Sequence, residues 1–230
     1  MIAQATVAEL LLLHEARAAR LRCPAGAVPA PGQYVLADAA GSDAPLAAVL
    51  FPAGEWAEGF VAASPIPAAW QPGTQLWVRG PLGHGFSLPG EARRVALVAW
   101  RRPPAALLSL LGAALRQQAS VTLVGQPIPE DLPLQVEAQP PEALQEVCAW
   151  ADFAAFDVER EALPELRDLL RGGRTAMKGE AQALVRAPMP CGGMAACGAC
   201  TVDVGGKALL ACEDGPVFDL GQLMGWSSRA

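Results

Sequence analysis

The stretch Arg94–Val124, RVALVAWRRPPAALLSLLGAALRQQASVTLV, decides the fold, because its apolar rhythm changes twice in succession. RVALVAW (94–100) is a continuous apolar run of strand length and reads as a buried strand. From Pro103 to Gln118 the apolar residues fall at helical spacing, with proline at the front, where a first turn tolerates it. SVTLV (120–124) is strand-like again. Strand, helix and strand in turn predict a parallel sheet with covering helices.

Working forward, PLQVEA (133–138), the helical pattern PEALQEVCAW (141–150), DFAAFDV (152–158) and the helical pattern PELRDLLRGG (164–173) continue the alternation. Working backward, the chain from Thr6 to about Val78 is a series of short apolar runs: VAELLLL, AARLRC, QYVLAD, LAAVLF, EGFVAA and TQLWVRG. Gly and Pro punctuate the junctions between them, which predicts a small antiparallel barrel or sandwich. The expected organisation is a β barrel over residues 1–90, an α/β parallel-sheet domain over 91–187 and a small C-terminal domain over 188–230.

At 52% hydrophobic and 17% charged residues over 230 positions, the chain can bury a substantial core. A formal net charge of -6 offers no basic field, which argues against nucleic acid as a partner. No segment approaches the roughly 18 to 20 uninterrupted apolar residues of a membrane span. The apolar run near the start is broken by Glu9 and His14 and lacks the layout of a signal peptide. A cytoplasmic protein is expected, and in a reducing compartment clustered cysteines bind metal more often than they form disulfides.

Four of the six cysteines, Cys191, Cys197, Cys200 and Cys212, lie in the last segment with the spacing C-x5-C-x2-C-x11-C. Four thiolates are the ligand set of a two-iron, two-sulfur (2Fe-2S) cluster, and a loop must wrap closely to deliver three of them from one short stretch. Gly192, Gly193 and Gly198 permit such a loop, and the small Ala195, Ala196 and Ala199 let backbone amides approach the sulfurs. Zinc would accept the same ligands, but zinc sites usually present two C-x2-C-type knuckles and only Cys197 and Cys200 form one. Cys23 and Cys148 stand alone and read as small buried hydrophobes.

Three further stretches suggest a family. CEDGPVF (Cys212–Phe218) with the cysteine loop before it, GPLGHGF (Gly80–Phe86) and PGQYVLA (Pro31–Ala37) resemble, in order and over essentially the whole chain, the electron-transfer subunit of class B dihydroorotate dehydrogenase, a branch of the ferredoxin reductase-like flavoproteins. The resemblance implies a flavin-binding barrel, a nicotinamide-binding domain and a C-terminal 2Fe-2S domain. It also implies a role in pyrimidine biosynthesis, with electrons passing between NADH, FAD and the cluster to a partner flavoprotein subunit that carries the dihydroorotate chemistry. By position, Cys191, Cys197, Cys200 and Cys212 would be the cluster ligands, although the first gap is five residues where the family usually has four.

The flavin and nicotinamide motifs depart further. Where the family has an Arg-Pro-x-Ser tetrapeptide facing FAD, this chain reads Ala44-Pro45-Leu46-Ala47, which removes a phosphate-binding charge and a hydroxyl donor. Where the family has a Gly-x-Gly-Thr turn, AASPIPAAW (Ala62–Trp70) supplies prolines without N–H groups. Where a glycine-rich turn would let backbone approach a pyrophosphate, the chain has Ala99-Trp100-Arg101-Arg102-Pro103-Pro104. Arg101 and Arg102 read as a solvated or interface pair, His84 as a surface or turn residue, and no catalytic set stands out.

The expectation is therefore an electron-transfer subunit that keeps its cluster while FAD and NAD binding are lost, working with a dihydroorotate dehydrogenase-like flavoprotein. Two rivals stay open: an active FAD-dependent NAD(P)H reductase, and a non-catalytic scaffold whose cysteines hold a structural metal. The apolar tail residues Val217, Phe218, Leu220, Leu223, Met224 and Trp226 are expected to pack within the chain.

Overall fold

A computed structural model describes residues 1–13, 16–63, 65–129, 132–172 and 177–226. His14 lies outside them. Seven strands form the first sheet: β1 (Ile2–Leu13), β2 (Ala16–Arg22), β3 (Tyr34–Ala39), β4 (Ala48–Leu50), β5 (Pro52–Trp56), β6 (Gly59–Ala62) and β7 (Gln75–Leu82). All its pairings are antiparallel, in the order β4-β3-β7-β1-β2-β6-β5. The six apolar runs became strands. The seventh, β5, contains Pro52 and Gly54, which break a run-length reading. It survives at the sheet edge, where proline's missing N–H costs no ladder bond.

The second sheet holds β8 (Arg94–Trp100), β9 (Ser120–Val124), β10 (Val136–Gln139), β11 (Phe153–Glu159), β12 (Glu180–Arg186) and, far along the chain, β15 (Val217–Asp219). Its order is β10-β9-β8-β11-β12-β15, parallel except for the antiparallel β15. Three helices cover it: α1 (Leu108–Arg116), α2 (Leu144–Trp150) and α3 (Leu163–Gly172). The helix expected from Pro103 starts only at Leu108. Arg101 takes a φ of 56° and the consecutive prolines lack N–H groups, so the chain turns before it coils. A hairpin of β13 (Thr201–Val204) and β14 (Lys207–Leu210) and the short α4 (Leu220–Met224) complete the fold.

Alternation explains the core. On β3, Val35 and Ala37 point into the barrel interior with Leu21, Phe60 and Val78, whereas Tyr34 and Leu36 point outward. They are nevertheless buried, because that outer face packs against Phe51, Trp100, Phe156 and Cys212 in one cluster shared by all three parts of the chain. On β8, Ala96, Val98 and Trp100 face this shared core while Val95, Leu97 and Ala99 face α1. Burial on both faces is why these strands read as unbroken apolar runs.

Cys148 is fully buried, and burial pushes its thiol up to about 12. Cys23 is only half-buried, since it lies one residue past the end of β2. Of the expected tail residues, Val217, Phe218, Leu220, Leu223 and Met224 are all buried within the chain. Among the described residues no helix is long and apolar enough to cross a membrane.

Candidate functional site

The cysteine loop leaves β12 at Arg186 and returns to the sheet as β15, so both its ends are tied to the second sheet. Within it the thiols stand as two pairs. Cys200 and Cys212 are buried with their Sγ atoms 3.3 Å apart, and Cys197 is close enough to Cys191 to help lower its thiol. All six cysteines are free thiols. Among the described residues no three His, Cys, Asp or Glu side chains form a single-ion site.

The backbone presents donors to these sulfurs. N–H groups of Ala196 and Met194, with the Cys197 thiol, hold Cys191 down to about 6. Ala199 N–H donates to Cys197 Sγ at 3.4 Å. Cys212 goes the other way, up to about 11, because burial and its neighbour Cys200 outweigh the amide of Ala195. Amides converging on sulfur are what an anionic cluster needs for stabilisation. The conformation rests on residues that accept a positive φ: Gly192 (63°), Gly193 (66°), Gly198 (69°) and, against its preference, Ala195 (56°).

Three side chains outside the loop hold it. Tyr34, from β3, donates its hydroxyl to the Cys212 carbonyl at 3.1 Å. Arg79, from β7, donates to the Gly192 carbonyl. Arg160, just after β11, donates to the Ala199 carbonyl at 2.5 Å. The sequence offered little signal for these, beyond Tyr34 being the sole tyrosine of the chain.

The two family-like motifs meet. His84 N–H donates to the Gly215 carbonyl at 2.6 Å, and its Nδ1 lies 3.0 Å from the Asp214 carbonyl. A Cβ on Gly83 would come within 2.5 Å of Pro216, so glycine is required where GPLGHGF crosses EDGPVF. His84 is exposed at that crossing and forms an isolated bridge with Pro216.

The stretches matching the flavin motifs also come together. Ala44, Leu46 and Ala48 line one cavity of about 270 Å³ with Pro67, Ala69 and Trp70. No lysine or arginine lines it, and Asp38 puts a carboxylate there.

In the second sheet the strand order reverses direction beside β8, and the crevice beyond the carboxyl ends of β8 and β11 is where open α/β sheets bind ligands. Here the chain's own side chains fill it. Arg186 makes a two-pronged pair with the fully buried Asp157, at 2.9 Å on each arm. Arg102 lies 3.3 Å from Asp157 and also pairs with Glu159. Phe51, from the barrel, closes the far side with its ring 3.7 Å from the Arg186 guanidinium. The space left beside Arg102 and Arg186 is about 130 Å³, against the roughly 300–1,000 Å³ of ordinary ligand pockets. Arg101 pairs with Glu165 at the surface, so both arginines are engaged with carboxylates.

Residues 187–224 match the family model of the iron-sulfur cluster binding domain of dihydroorotate dehydrogenase B. All four clustered cysteines, Cys191, Cys197, Cys200 and Cys212, lie within the matched segment, which supports an iron-sulfur cluster there. The fold of the whole chain is similar to that of the NADH-dependent reduced ferredoxin-NADP oxidoreductase, studied for flavin-based electron bifurcation, with a TM-score of 0.73 at 16% identity over 94% of this chain and 88% of that one. It is also similar to the ferredoxin NADP+ reductase from Neisseria gonorrhoeae with bound FAD and NADP (TM-score 0.58, 15% identity, 80% of this chain and 98% of that one). At such identities the likeness establishes the ferredoxin reductase-like fold, which the resemblance had implied and whose antiparallel and parallel sheets the alternation of runs had suggested. The iron-sulfur binding domain and this fold together support the resemblance to the electron-transfer subunit.

Proposed function

We propose that this chain is an iron-sulfur electron-transfer subunit in which Cys191, Cys197, Cys200 and Cys212 hold a 2Fe-2S cluster, one thiol pair to each iron. The observation that carries the reading is the pairing of the thiols beneath converging N–H donors. Two irons ask for two pairs of thiolates, whereas one zinc asks for a single tetrahedral set. The five-residue first gap is accommodated where Gly192 and Gly193 turn the chain through positive φ.

When bound, the cluster supplies a one-electron carrier. The chain's own work is to hold and insulate it: loop amides donate to the thiolates, and Tyr34, Arg79 and Arg160 fix the loop carbonyls against the barrel and the second sheet. The outer edge of the loop stays accessible, with Cys197 exposed and Met194 68% exposed, and that is the side from which an electron would enter or leave. The partner is a dihydroorotate dehydrogenase-like flavoprotein subunit, and the setting is the cytoplasm, where thiols remain reduced.

FAD and NADH binding are not retained in this reading. A flavin dinucleotide carries a pyrophosphate, yet the cavity between the two flavin-motif stretches offers it Asp38 and no cation. A nicotinamide dinucleotide needs an open switch-point crevice, which Arg102, Arg186 and Phe51 fill. The residues do not fit either group, and no step is assigned to them.

Anaerobic purification with iron, acid-labile sulfide and flavin analysis tests the proposal. About two irons and two sulfides per chain, without flavin released on denaturation, is the expected result. Stoichiometric flavin with NADH-driven dye reduction would make the chain an active reductase, and zinc in place of iron and sulfide would make it a scaffold.

A further inference from the structure

Two guanidinium groups touch the cysteine loop, and they differ in charge balance. Arg160, which holds the Ala199 carbonyl, is neutralised by Glu161 at 2.7 Å. Arg79, which holds the Gly192 carbonyl one residue from Cys191, has no carboxylate at ion-pair distance among the described residues. It stands on the outward face of β7, paired across the sheet with Leu36 of β3, and the loop lies over it. A Cβ built on Gly193 would come 2.7 Å from the Tyr34 hydroxyl and 3.7 Å from Arg79 Nη2, so the loop backbone is pressed directly onto these two side chains.

We infer that Arg79 is a positioning residue whose unneutralised charge sets the reduction potential of the cluster, while Tyr34 fixes the loop's distance from it. The inference rests on the cluster reading above. Four thiolates, two ferric ions and two sulfides leave the oxidised core with two negative charges, and one-electron reduction adds a third without a proton. A fixed cation nearby favours the more negative state and raises the potential. At an effective dielectric of about 20 and a separation on the order of 10 Å, one unit charge shifts a one-electron equilibrium by roughly tenfold. Tenfold corresponds to about 59 mV. Because the guanidinium is half-buried between barrel and loop, salt screens it less than it would a surface charge.

Redox titration of the cluster-loaded protein, followed by its electron paramagnetic resonance signal, tests this with three variants. Arg79→Gln keeps an N–H donor for the Gly192 carbonyl and removes the charge; its potential is expected to fall by about 59 mV, a tenfold shift. Arg79→Lys keeps the charge and is expected to stay near the parent value. Arg160→Gln, losing a charge that Glu161 already balances, is expected to move the potential much less than Arg79→Gln. Equal potentials for the Gln and Lys variants at position 79 would overturn the inference, as would a larger shift at Arg160. If Arg79→Gln loads no cluster while Arg79→Lys does, the charge is needed to hold the anionic core and the inference stands. If neither loads, Arg79 is a structural prop and the inference falls. Absence of iron and sulfide from the parent protein would instead remove the cluster reading itself.

Discussion

The cysteine loop and the switch-point crevice both lie beyond the carboxyl end of β12, where Arg186 begins the one and pairs within the other, and their polar groups are arranged in opposite ways. At the loop, backbone N–H groups and thiols are turned toward a shared space, and glycines hold that arrangement open. At the crevice, Asp157, Arg186, Arg102, Glu159 and Phe51 satisfy one another and leave about 130 Å³. One region thus turns its polar groups toward a shared space, and the other pairs them across the packed interface of the two sheets. A polar pair that completes itself gains nothing from a ligand.

Removing a thiol should give the largest effect. Cys200→Ser or Cys212→Ser breaks the buried pair and is expected to take iron and sulfide from about two per chain to near zero, with loss of visible absorbance. Asp157→Ala attacks the crevice instead. It leaves Arg186 buried and unpaired, a loss of about 3–5 kcal/mol that thermal denaturation would show, with cluster content per folded chain unchanged.

Phe51→Ala sharpens the contrast by opening the crevice without adding a ligand group. A cost of about 3 kcal/mol or more is expected from the lost ring. Calorimetry should detect no gain in NADH or FAD binding, because Arg102 and Arg186 keep their carboxylates. At the loop, Gly193→Ala places a methyl against the Tyr34 hydroxyl at a φ of 66°, and a loss of about 1–2 kcal/mol with reduced cluster retention is expected.

The smallest effect lies away from both regions. Arg94 donates to Asp152 at the amino ends of the central strands β8 and β11 and, with backbone N–H groups of Arg93 and Arg94, holds that carboxyl below its ordinary value. A carboxyl lowered by folding stabilises the protein above the ordinary aspartate range, and that stabilisation is lost as the pH falls through the lowered value. Asp152→Asn should therefore flatten the acid limb of stability and change little near neutrality.

Much of this architecture was legible because period and burial agree. RVALVAW and DFAAFDV are apolar on both faces since both faces of the parallel sheet are covered, and the cysteine spacing marked the loop directly. At Ala44, Ala47 and Trp100 the sequence departs from the flavin and nicotinamide motifs of the family it resembles. What fills the crevice was hidden. Asp157 and Arg186 are 29 positions apart and Phe51 lies in another domain, so no local pattern announces their contact. Arg102 read as half of a solvated or interface pair, and its side chain, 15% exposed, is engaged with Asp157 and Glu159.

The sequence by itself determined the order of barrel, parallel sheet and cysteine loop, because hydrophobic period and thiol spacing are local properties that a chain carries before it folds. Only the tertiary structure decided that the crevice is filled, that GPLGHGF and EDGPVF lock together, and that Tyr34 and Arg79 stand against the loop. Those are contacts between residues from 29 to 178 positions apart, fixed by how two sheets and a loop pack around one shared core.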